Sequence, residues 1–155
     1  MSNHPAGGGA LLLVVSGPSG VGKDSLLARL KEQGLPFHFT VTATTRPRRE
    51  VDPADAPFYT FLSDEAFDRL LVEDGLLEHA TVYGYRYGVP RAQVRDALAR
   101  GQDVVMRLDV QGAATIKRLV PQAVLIFLAP PSDEELEQRL RGRGLDDNAT
   151  VRRRL

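Results

Sequence analysis

The sequence predicts an α/β fold: a parallel β-sheet with helices on both faces. Three observations predict it. Residues 103–109 and 123–128 are near-continuous apolar runs, as in strands buried on both faces. Helical patterns alternate with strand patterns at both ends of the chain. A glycine-rich stretch, Gly17-Pro18-Ser19-Gly20-Val21-Gly22-Lys23, joins an apolar run to a helical one.

In order, a strand is expected over 11–16 and a helix over 22–33, stopped by Gly34. Residues 39–45 alternate and are β-branched, which predicts a strand. Residues 46–57 carry three prolines and several charges and read as a loop. A short strand follows at 59–62. Ser63 is placed to cap a helix to about 73, ended by Gly75. Residues 76–87 contain strand-like pieces around Gly84. Pro90 opens a helix over 91–100, which Gly101 closes. The buried strand 103–109, a helix over 111–119 and a second buried strand at 123–128 come next. Ser132 caps a helix to 141, Gly142-Arg143-Gly144 breaks it, and Asn148 caps a last helix that runs into Leu155. The middle, 37–89, is richer in short strands and polar loops. It reads as an insertion over the carboxyl edge of the sheet, where ligands bind in such folds.

The 155 residues are one domain's worth of chain, and 43% hydrophobic with 26% charged residues is ordinary globular composition. Twenty basic side chains balance twenty acidic ones, so bulk charge argues for neither nucleic acid nor membrane as partner. There are no cysteines, hence no disulfide, thiolate metal site or cysteine nucleophile. No apolar run has membrane-spanning length. Residues 1–10 lack a signal pattern and read as a flexible leader, so a cytoplasmic location is expected.

Strand, glycine-rich loop and helix in that order are the context of a phosphate-binding P-loop. Backbone N–H groups of residues 17–25 can wrap a phosphate at the helix N-terminus, and Lys23 adds a point charge. Asp24 follows the lysine where the usual motif has Ser or Thr for Mg²⁺, with Ser25 next. Asp24 is either a metal ligand or a first-turn acid that favours the helix dipole.

Three further features bear on an acceptor. Thr44-Thr45-Arg46-Pro47-Arg48-Arg49, followed by Tyr59, offers guanidinium forks and a phenol suited to a second phosphate; otherwise it is a solvated basic loop. Glu78 precedes Tyr83-Gly84-Tyr85-Arg86-Tyr87-Gly88. A carboxylate accepts two hydrogen bonds from guanine N1–H and N2–H₂, a pair adenine does not offer; the alternative is a surface acid. Asp109-Val110-Gln111-Gly112 ends the buried strand, and its acid is either a metal-organising aspartate or a helix N-cap.

With these motifs the chain resembles guanylate kinase. The resemblance is carried by 16–23, by Thr44 to Arg49, by Asp109-Val110-Gln111-Gly112-Ala113, and by Ala129-Pro130-Pro131-Ser132 through Gly144, with Glu78 and Tyr87-Gly88 between. It implies a P-loop nucleoside-monophosphate kinase fold: a core of 11–36 and 90–138, a small mixed-β GMP-binding insertion at 37–89, and a lid over 139–155 that starts an incomplete C-terminal part. It implies ATP-dependent phosphorylation of GMP, and of dGMP, to GDP in purine nucleotide metabolism, with Mg²⁺. Gly17, Pro18, Ser19, Gly20, Val21, Gly22, Lys23, Asp24 and Ser25 would hold ATP phosphates. Arg46, Arg49, Tyr59 and Tyr87 would hold the GMP phosphate, Glu78 and Thr42 the guanine, and Asp109 would lie near GMP and metal. The metal set would be Asp24, Ser25 and Asp109. Lys23, Arg46 and the lid arginines Arg139, Arg143 and Arg154 would offset charge on the transferring group.

Some positions depart from the family. Val89 stands where a serine usually contributes to guanine recognition, which implies affinity weaker by ~1 kcal/mol. The segment between Arg49 and Tyr59 leaves open whether Arg48 or Arg49 takes the second phosphate role. The family continues past the lid, so the resemblance implies a chain cut short at Leu155, an exposed sheet edge and weakened ATP binding. Two other classes fit part of the pattern: a non-catalytic phosphopeptide-binding module of guanylate-kinase type, and a sugar-phosphate kinase. The intact loop argues against the first, and Thr44-Thr45-Arg46 with Asp109-Val110-Gln111-Gly112 against the second.

Overall fold

A computed structural model of the chain describes residues 9–49, 58–144 and 147–155. Leader residues 1–8 and loop residues 50–57 of the sequence reading lie outside the described residues.

The chain opens with β1 (Leu12–Ser16), the glycine-rich loop and α1 (Lys23–Glu32). The strand expected at 39–45 is two strands in two different sheets, β2 (His38–Phe39) and β3 (Thr42–Thr44). The switch is held by a side chain. Gln93 accepts from Val41 N (2.8 Å) and donates to Val41 O (2.7 Å), replacing the ladder bonds lost where the chain leaves the first sheet. β4 (Tyr59–Phe61) and α2 (Asp64–Val72) follow, and Ser63 caps α2 by accepting from Ala66 N. The left-handed residue ending α2 is Asp74 (φ 52°), one before the Gly75 expected to stop it. β5 (Leu76–Val82) and β6 (Tyr85–Pro90) form a hairpin with positive φ at Tyr83 and Gly84, the pattern that matches strand twist.

Pro90 is the N-cap of α3 (Arg91–Ala99), which leads to β7 (Val104–Arg107) and α4 (Val110–Leu119). β8 (Val124–Phe127), α5 (Asp133–Gly142) and α6 (Asn148–Arg154) complete the chain. The cap of α6 is Asp147, not Asn148: its carboxylate accepts from Thr150 N at 2.7 Å.

Two four-stranded sheets result. The first, β2-β7-β1-β8, is wholly parallel; the second, β4-β3-β6-β5, is mixed. Adjacent β1 residues face opposite clusters. Val14 packs with β7, α3 and α4 residues such as Met106, Ala97 and Ile116, while Val15 packs with Leu27 of α1 and Val105. Both faces of the central strands are therefore covered, as their apolar runs require. β8 corrects the expectation of a second buried strand. Among the described residues it pairs only with β1, and Val124, Leu125, Ile126 and Phe127 are 40–60% exposed. Its apolar composition reflects a strand with one bare flank among the described residues. No helix among them is long and apolar enough to cross a membrane.

β1 and β7 are parallel neighbours, so the loop after β1 and Asp109 after β7 emerge at the same sheet edge. The second sheet stands beside that edge, and the cleft lies between them.

Candidate active site

The glycine-rich loop turns back between β1 and α1. Gly17 has φ 148°, and a Cβ there would stand 2.4 Å from the Leu128 carbonyl oxygen, so the loop can pass β8 only as glycine. Val21 is buried and packs under the loop against Leu136 and Leu140 of α5, which fastens the loop to the last helices. Lys23 Nζ donates to the carbonyls of Gly17 (2.7 Å) and Pro18 (2.9 Å). Burial lowers its pKa to about 8; Asp24 opposes the shift and Arg107 adds to it. A half-buried ammonium beside a glycine-rich loop at a helix N-terminus is suited to a multivalent anion.

A cleft of about 700 Å³ runs from this loop to the second sheet. Gly17, Pro18, Ser19, Gly20, Gly22, Lys23 and Asp24 line its loop end. Ser25 is exposed and does not line it, and Val21 lies in the core beneath.

Arg46, Arg49, Tyr59 and Tyr87 line the middle. Arg46 is buried; its guanidinium lies 5.2 Å from the Tyr59 ring centroid and donates to Pro47 O. Desolvation raises the Tyr59 pKa, so the phenol is a donor at neutral pH. The two arginines left open by the sequence lie in different places. Arg49 lines the cleft, whereas Arg48 stacks 5.0 Å over Phe61 and is not among the lining residues.

Glu78 and Thr42 line the far end, and Asp109 lies between it and the loop, its charge acting on both Glu78 and Lys23. Glu78 is buried, and desolvation first, with the Asp109 charge second, raises its pKa to about 7. Its carboxylate lies against the first turn of α4, where Gly112 leaves it room. Asp109 caps that turn, accepting from Gly112 N at 3.0 Å. Thr42 Oγ1 is sealed from solvent with no hydrogen-bond partner among the described residues, a cost of ~1–3 kcal/mol unless a ligand supplies one. Val89 is fully buried in the core cluster and is not among the lining residues.

Of the three arginines expected in a lid, Arg143 and Arg154 line the cleft, and Arg154 lies 5.1 Å from the Tyr83 ring, bringing α6 to the β5–β6 turn. Arg139 does not line it; it pairs with Glu135 and donates to Val21 O at 3.2 Å, behind the loop. Sequence reasoning missed Arg107. It sits on the cleft floor, only 8% exposed, paired with Asp24 and 4.3 Å from the Tyr59 ring. The available signal was an arginine inside an otherwise apolar strand, since such a charge must be paired.

A sequence model of the family "Guanylate kinase" matches residues 10–155. The chain is 47% identical over 156 residues to the guanylate kinase of Gloeobacter violaceus, covering 99% of this chain and 73% of that protein. It is 40% identical over 145 residues to that of Carboxydothermus hydrogenoformans, covering 94% and 71%. The crystal structure of guanylate kinase from Anaplasma phagocytophilum superposes with a TM-score of 0.69 at 32% identity, over 87% of this chain and 65% of that one. The chain thus spans about two thirds to three quarters of the length of these proteins. The loop, the cleft and these likenesses agree: the chain belongs to the guanylate kinase family of nucleoside monophosphate kinases.

Proposed function

We propose that the cleft transfers the γ-phosphoryl group of ATP to the phosphate of GMP, giving ADP and GDP. One observation carries this reading: a single cleft is lined by the glycine-rich loop with Lys23 at one end, by the buried Glu78 carboxylate at the other, and by Arg46, Arg49, Tyr59 and Tyr87 between. The loop N–H groups and Lys23 hold the β- and γ-phosphates. Arg46, Arg49, Tyr59 and Tyr87 hold the acceptor phosphate. Glu78, ionised, accepts from guanine N1–H and N2–H₂, and the unpartnered Thr42 hydroxyl gains a partner on the base. An oxygen of the GMP phosphate attacks the γ-phosphorus as its bond to the β-bridging oxygen breaks. The acceptor is already an anion, so the protein positions and offsets charge rather than abstracting a proton. Arg143 and Arg154 approach from the lid side and neutralise charge on the equatorial oxygens. Arg139 steadies the loop through Val21 O.

Magnesium fits the donors present. Asp24 and Asp109 are oxygen ligands lining the cleft, each with one oxygen already engaged, to Arg107 and to Gly112 N. No cluster of three or more metal-binding side chains occurs among the described residues. Such a sparse set suits an ion that keeps water and phosphate oxygens as most of its ligands. Asp24 and Asp109 would hold Mg²⁺ with ATP, and the ion would neutralise the β- and γ-phosphates. Exposed Ser25 is not part of this set.

The test is ATP-dependent nucleoside diphosphate formation with GMP, dGMP, AMP and ribose 5-phosphate as acceptors. Turnover of GMP and dGMP alone supports the reading. Turnover of the ribose phosphate would favour a sugar-phosphate kinase.

A further inference from the structure

Arg107 is the one charged residue of β7, and its side chain is 7% exposed. Its partners belong to the loop end and to the middle of the cleft. One is Asp24, on the first turn of α1 next to Lys23, reached by an ion pair from Nη1 to Oδ1. The other is the Tyr59 ring of β4 in the second sheet, 4.3 Å from the guanidinium, with Phe58 at 5.7 Å. Arg46 lies 5.2 Å from the same Tyr59 ring, so two guanidinium groups hold one phenol.

We propose that Arg107 is a positioning residue that couples the two phosphate sites, cancelling the Asp24 charge beside the donor loop and fixing the Tyr59 ring at the acceptor end. The proposal rests on reading the cleft as a two-phosphate site. A carboxylate one residue from Lys23 repels a triphosphate unless a cation offsets it, and Arg107 is that cation; both charges act on Lys23. A planar guanidinium also stacks on a phenol ring in a way an ammonium does not reproduce. One side chain therefore sets charge at the donor end and orientation at the acceptor end.

The test is calorimetric titration of metal-free ATP and, separately, of GMP into wild type, Arg107→Met, Arg107→Lys, Asp24→Asn and the Asp24→Asn/Arg107→Met double variant, with melting temperatures alongside. Metal-free ATP keeps any Mg²⁺ contact of Asp24 out of the comparison. Arg107→Met is expected to weaken both ligands about tenfold. Arg107→Lys keeps ATP affinity within about threefold but loses GMP affinity, because charge is retained and stacking is not. Asp24→Asn alone tightens ATP, and the double variant recovers ATP affinity while GMP stays weak. A purely structural role predicts instead that melting temperature and both affinities fall together, with no recovery in the double variant. Unchanged affinities in Arg107→Met, or an ATP defect that persists in the double variant, would overturn the proposal. If Arg107→Met does not fold, Arg107→Lys and Asp24→Asn decide it, and weaker ATP binding by Asp24→Asn counts against it. Wild type that binds ATP but not GMP refutes the GMP-kinase reading, and the ATP arm still decides the Asp24 half.

Discussion

Glu78 and Gly112 fit together as group and gap: a Cβ on Gly112 would stand 2.7 Å from Glu78 Oε2 and 3.3 Å from Asp109 Oδ1. The glycine of the Asp109-Val110-Gln111-Gly112 motif thereby gives the β5 carboxylate its place against α4. Gly112→Ala displaces the end of a flexible side chain rather than backbone. The expected result is a KM for GMP raised about tenfold, ~1.4 kcal/mol, with the melting temperature changed by only a few degrees. Steady-state kinetics beside a thermal melt checks both halves.

Glu78 should impose a pH dependence on GMP use. Its pKa in the folded protein, about 7, lies above the ordinary 4.5. Its contribution to folding is therefore fully present below pH 4.5 and is lost as pH rises through 7. Guanine recognition runs the other way, because it needs the carboxylate. The apparent KM for GMP should fall about tenfold per unit as pH approaches 7 from below, then level off. In Glu78→Gln the pH profile of GMP binding, read by titration rather than turnover, should lose the inflection near 7 and keep only that of the nucleotide's own phosphate near ~6; an unchanged profile would contradict the role given to Glu78.

Gly17→Ala should destabilise the fold as well as the site. The added methyl meets the Leu128 backbone oxygen at 2.4 Å, and φ 148° is unfavourable for alanine. A loss of ~2–4 kcal/mol is expected in denaturant unfolding, with weaker ATP binding under conditions where the variant stays folded.

Leu140→Ala tests whether α5 and α6 hold the loop. Leu140 is fully buried with Val21, Leu136 and Val151, so one small cluster joins the loop, α5 and α6. Truncation should cost ~2–5 kcal/mol. Hydrogen exchange should accelerate first in α6, whose only buried residue, Val151, belongs to that cluster.

The local signals were legible because they are local. The loop of residues 17–23, the Ser63 and Ser132 caps and the buried run of β7 depend on neighbours in sequence. Where sequence reading failed, a distant partner decides. Residues 39–45 look like one strand, but Gln93, some fifty positions on, holds Val41 while the chain changes sheet. β8 has the composition of a buried strand, yet its burial depends on what flanks it, and among the described residues only β1 does so. Arg48 and Arg49 are equivalent on paper; Phe61 takes the first and leaves the second to the cleft. Arg107 went unread because its two partners, Asp24 and Tyr59, lie 83 positions before it and in the other sheet.

The central claim is that this cleft joins a triphosphate to a guanine nucleotide. The most direct measurement is GDP formation from GMP by this 155-residue chain with ATP and Mg²⁺, using AMP as control. The account predicts GDP from GMP, no ADP made from AMP above background, and loss of GMP turnover in Glu78→Gln. Equal use of GMP and AMP, or undiminished GMP turnover in Glu78→Gln, would contradict it.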